Sequence, residues 1–129
     1  MAKDPTMKFK LVFILSFFTS YISAQEAGVN IRFKNTTNEK IKSIEFYILH
    51  QKHHVKDLLP DSTSKSLNVK ESYKSFATKI ISPFSKYSYI PIDHVGDPIY
   101  HSGNIIVTIT SRKDNKNKRI LDVKFEYLK

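Results

Sequence analysis

The side chains in this sequence best suited to chemistry are its five histidines. His50, His53 and His54 form an H-x-x-H-H cluster. His94 stands in Asp93-His94-Val95-Gly96-Asp97, and His101 follows. Imidazole and carboxylate groups suit zinc or copper when a fold gathers them. His50, His53 and His54 are therefore the candidate metal ligands. The chain has no cysteine to add a thiolate, and the spacing matches no specific metal motif. A histidine run at the end of a strand is more often a solvated loop.

Nucleophilic and acid–base chemistry find less support. Serines are plentiful, but no G-x-S-x-G elbow presents one of them. Asp93 and Asp97 are close in sequence, yet nothing divides them into the separate environments that paired-carboxylate catalysis needs. With only Gly28, Gly96 and Gly103, the chain has no phosphate-cradling loop and no dinucleotide fingerprint. The expectation is a non-enzymatic protein that uses no cofactor.

Two stretches suit binding. Tyr87, Tyr89 and Tyr100 flank a turn-rich segment that also carries His94, Asp97 and His101. Rigid aromatic area beside polar groups makes a rim for a ligand or partner. The plainer reading is a tyrosine-rich strand flank. Arg112, Lys113, Lys116, Lys118 and Arg119 crowd the link between the last two strand-like runs. Such a basic tip can meet an acidic glycan or acidic protein surface; it also serves simply to solubilise a loop and protect nearby strand edges. No aromatic platform accompanies it for stacking bases, and export argues against nucleic acid as a partner. Asn35-Thr36-Thr37 is an N-x-T sequon on an expected turn.

The elements that position these residues read as strands. Residues 29–34 alternate, with Val29, Ile31 and Phe33 on one face. Residues 41–49 alternate around Ile44, Phe46 and Ile48, and the two runs suggest an antiparallel hairpin. Periodicity fails over 50–65, where a short helical turn near 52–59 would stop at Pro60. Strand-like runs return at 65–70, 73–81, 86–92, 105–110 and 120–127. The last two are rich in β-branched or aromatic residues. Leu121, Val123, Phe125 and Tyr127 form the expected inward face of the final strand. Seven short strands in about 100 residues predict an all-β, immunoglobulin-like or fibronectin-like two-sheet sandwich. Phe33, Phe46, Phe76 and Phe125 are expected to meet between the sheets. The Cys–Trp–Cys core signature of true immunoglobulin domains is absent.

Residues 1–24 read as a leader and secretory signal. Lys8 and Lys10 precede an apolar core over residues 11–18, and Ser23-Ala24 supplies small residues before Gln25. That core falls short of the roughly 20 residues a membrane span needs. A single domain is expected over 25–129, secreted or periplasmic, without a membrane span once the signal is cleaved. Outside the leader, eighteen Lys and Arg face eleven Asp and Glu, a net charge of +7.

Three pieces of sequence resemble small exported bacterial β-sandwich proteins. They are Ile31-Arg32-Phe33-Lys34-Asn35, Ile41-Lys42-Ser43-Ile44 and Leu58-Leu59-Pro60-Asp61-Ser62-Thr63-Ser64. The leader end Ser23-Ala24-Gln25-Glu26 is similar to those of the Bacteroidetes group. Glycine commonly follows the proline in that pattern, and here Asp61 stands in its place. The resemblance implies a sandwich and export, and it carries no catalytic residue. The combined reading is a binding protein for a protein or acidic glycan partner, or a support of an envelope structure. The alternative is a small-ligand, metal or carbohydrate module using residues 87–103.

Overall fold

The computed structural model describes residues 28–129; the expected leader lies outside them. Among the described residues nine strands form two sheets. They are β1 (Gly28–Asn35), β2 (Ile41–Ile48), β3 (Gln51–Leu58), β4 (Ser62–Thr63), β5 (Leu67–Val69), β6 (Thr78–Ile81), β7 (Lys86–Tyr89), β8 (Ser102–Lys113) and β9 (Arg119–Leu128). One sheet has the order β4-β1-β8-β9, with β5 sharing the outer edge of β1 with β4; the other has the order β3-β2-β6-β7. An all-β, two-sheet sandwich is thus present.

The alternating residues build the core as their period dictates. Val29, Ile31 and Phe33 of β1 face Ile44 and Phe46 of β2, and Ile105, Val107 and Ile109 of β8 join them; all are buried. An aromatic chain crosses the interior. Phe33 lies 4.7 Å from Phe46, Phe46 lies 5.6 Å from Phe76, and Phe76 meets Phe125 edge-on at 5.1 Å. Leu121, Val123, Phe125 and Tyr127 do face the core.

Two expectations are corrected. The first two strands are not a hairpin, because β1 belongs to one sheet and β2 to the other. Between them burial alternates without a break through Asn35, Thr37 and Glu39, carrying the chain across the sandwich rather than back along β1. The segment after residue 50 is strand, not loop or helix. Leu49 and His50 both take left-handed φ, 46° and 71°, and form a two-residue turn that pairs Ile48 with Gln51. Such primed turns match the natural strand twist but ordinarily require Asn or Gly.

The loops gather at two ends. At the basic end lie the 36–40 crossing, the turn at 59–61, the 82–85 turn and the 114–118 tip. At the loop end lie the Leu49-His50 turn, the 70–77 connection and the long 90–101 loop, beside the start of β1 and the end of β9.

Candidate functional site

The 90–101 loop leaves apolar side chains in solvent. Ile90, Ile92 and Val95 are 76, 100 and 89% exposed, and Ile99 is exposed as well. Apolar side chains scattered singly need no explanation, but four within ten residues of one loop do. Its frame is ordered. The His94 ring lies parallel on Tyr73 at 3.9 Å, and its Nδ1 is 3.2 Å from Asp97 Oδ2. Tyr100 exchanges backbone hydrogen bonds with Ser72 at 3.0 and 2.8 Å and stacks on Tyr127 at 3.7 Å. The Val95 amide donates to Asp93 Oδ1.

The tyrosine and histidine positions divide among several duties. Tyr87 and Tyr89 share a strand face, as expected, and turn toward β9. Tyr89 packs on Phe125 at 5.1 Å, and the Tyr87 hydroxyl donates to Asp122 at 3.5 Å. Burial first, then the negative charge of Asp122, pushes the Tyr87 phenol above its ordinary value. His101 points to Glu71 at 3.3 Å on the surface. Tyr89, Asp97 and Tyr100 line one open groove, whereas His94 lines another with Tyr47, Leu49, Ile90 and Pro91. The segment does not enclose a single pocket around these groups.

His50, His53 and His54 also part company. His50 occupies the tight turn. His53 turns inward and stacks on Phe46 at 5.4 Å, while its strand neighbour His54 faces outward, with Nε2 at 3.1 Å from Ser43 Oγ. Adjacent residues of a strand point to opposite faces, so the cluster in sequence is not one in space. Among the described residues no three His, Cys, Asp or Glu side chains are grouped to hold a metal ion. Among those residues, too, no helix is long and apolar enough to cross a membrane.

The basic tip sorts into two kinds of residue. Asp114 Oδ1 accepts from the amides of Lys116 and Lys118 and shapes the turn, leaving Lys113, Lys116 and Lys118 exposed. Arg112 lies 3.7 Å from Asp122. Arg119 turns back into the molecule, with Nη1 at 3.0 Å from Oε2 of the buried Glu39, and Nη2 on Asn38. Neither Glu39 oxygen makes an aligned hydrogen bond, so the pair holds by charge.

Beneath it lies a polar staple that sequence reading passed over. Asn35 is 0% exposed; its Nδ2 lies 2.9–3.1 Å from the carbonyl oxygens of Glu39, Leu58 and Leu59. Its Oδ1 accepts from the Thr37 amide and hydroxyl. Glycosylating this sequon would remove an amide hydrogen and demand space that the fold fills. The one signal in sequence was an Asn interrupting an otherwise apolar inward face.

No family model matches the chain, and no curated protein matches it. Among solved structures it is similar to the NMR structure of a protein from Eubacterium rectale, with a TM-score of 0.51 and 14% identity. The match covers 76% of this chain and 88% of that one. At that identity the likeness concerns the fold: a small, mostly β, two-sheet domain.

Proposed function

We propose that this protein is an exported, non-catalytic binding domain whose loop end docks onto a protein partner. The observation that carries the reading is the set of exposed aliphatic side chains on the 90–101 loop. Covering a branched aliphatic side chain gains about 1.5–3 kcal/mol, so a partner buries Ile90, Ile92 and Val95 with profit. The Tyr73–His94 stack and the Ser72–Tyr100 bridge lower the ordering cost by holding the loop in shape beforehand. The division of Tyr89, Asp97 and Tyr100 from His94 weighs against a small-ligand module. Export rests on the leader pattern of residues 1–24, and the finer immunoglobulin-like or fibronectin-like form rests on size and on two packed sheets.

The test places a photo-cross-linking residue at Val95, or at Lys116 as a control, in the full-length chain within its native host. A discrete protein adduct from position 95, lost when Ile92→Asp is added, supports the reading. No adduct, or one from position 116 alone, overturns it. In the same cells, a secreted or periplasmic product beginning at Gln25 is expected; an uncleaved cytoplasmic product removes the export half.

A further inference from the structure

The two long sides of the sandwich are finished differently. On one side the edge strands β7 and β9 are drawn together by Tyr89 on Phe125 and Tyr87 on Asp122. On the other, β3 faces only the two-residue β4 and three-residue β5, and the seam stays open. A cleft of about 520 Å³ runs along it, floored by Phe46, Val55, Leu58 and Leu67. Among the described residues no strand pairs with the outer edge of β3, an eight-residue strand.

We infer that this seam takes an extended acidic peptide segment of another protein, added as a strand to the free edge of β3. An unpaired edge presents the backbone donors and acceptors that strand addition uses, and the apolar floor receives alternate side chains. The charge of the walls selects among occupants. Lys56 and Lys65 line the cleft and have no ion-pair partner among the described residues, with His53 and His54 nearby. The one carboxylate in the lining, Asp57, is already engaged by Lys40 at 3.2 Å. Lysines on an edge guard it against a strand of like charge. A second copy pairing through β3 would set Lys52 and Lys56 against their own counterparts, so the same charges that refuse self-association welcome a carboxylate-bearing strand. This surface is separate from the loop end and does not depend on it.

The test uses the full-length protein and two soluble nine-residue peptides of alternating valine and threonine, one flanked by glutamates and the other by lysines. Backbone amide shifts by NMR and hydrogen exchange would be followed as each peptide is added. The glutamate peptide is expected to protect β3 amides and shift Val55 and Leu67, weakening as salt rises. Lys56→Glu with Lys65→Glu, two exposed positions that leave the fold intact, should weaken it roughly tenfold or more. Lys116→Glu with Lys118→Glu should leave it unchanged. Equal binding of both peptides, shifts confined to the 114–118 tip, no binding at millimolar peptide, or a dimer formed through β3 would each overturn the inference.

Discussion

The two ends of this sandwich solve opposite problems. At the basic end polar groups are buried and apolar bulk is modest: Asn35 spends its side chain on three carbonyls and Thr37, and Glu39 meets Arg119 below the surface. At the loop end half-buried aromatic rings are stacked in pairs and aliphatic side chains are left outside. Phe84 and Leu59 are exposed at the basic end too, but each belongs to a separate tight turn. The contrast teaches that charge at one end can be structural, while aliphatic side chains left in solvent mark the other end as the one open to contact.

The strongest way to break that comparison is at Asn35. Asn35→Ala leaves the Glu39, Leu58 and Leu59 carbonyls short of a donor, and a loss of about 3 kcal/mol is expected in urea unfolding. A loss below about 1 kcal/mol would mean that the staple is decoration. Arg119→Ala comes next, at about 2 kcal/mol, discounted because the guanidinium is partly exposed. Lys116→Ala should cost nothing measurable, which would separate the brace from the tip.

Gly103→Ala tests the loop end's own rigid part. Gly103 has φ 103°, and a Cβ there would stand 2.6 Å from the Tyr127 hydroxyl, which donates to Ser102 at 2.8 Å. A loss of about 1–2 kcal/mol is expected, with disturbed tyrosine signals in near-ultraviolet dichroism. Ile92→Asp, by contrast, should shift stability by no more than about 0.5 kcal/mol while abolishing partner adducts. Smaller still is the effect of pH at Tyr87. Its raised phenol pKa gives stability that is complete below the ordinary value of about 10 and is lost as pH climbs from there through the folded-state value. Tyr87→Phe should flatten that alkaline decline in a pH series of unfolding curves.

Much of the sandwich was legible in the residues. Val29, Ile31 and Phe33, and the Leu121–Tyr127 face, announce their strands by alternation because each has one wet side and one dry side. The third strand was not legible, for local reasons. Its turn uses Leu49 and His50 where Asn-Gly would have spoken, and only His53 and Val55 mark its inward face before left-handed Asp57 shifts the phase and turns Leu58 inward. The separation of His53 from His54 followed from that missed strand. The exposed isoleucines were hidden for another reason: Ile90, Ile92 and Ile99 have the composition of a strand, and composition does not say which side of a loop meets water. Asp61, the residue in place of glycine, does take φ 54° after Pro60, so the turn survives with an aspartate bearing the strain.

The parallel pairing of β1 with β8 has a consequence for how the molecule comes into being. Gly28 lies beside Ser102 and Asn35 beside Ile109, so the earliest described strand finds its long neighbour only after most of the chain has been made. The tight β2–β3 turn can form early from local contacts, whereas the five-stranded sheet must wait for a distant partner. High contact order of this kind places folding in the millisecond-to-second range. Until the last quarter of the chain emerges, the first strand has only the two-residue β4 and three-residue β5 to pair with, so its long edge stays open for β8.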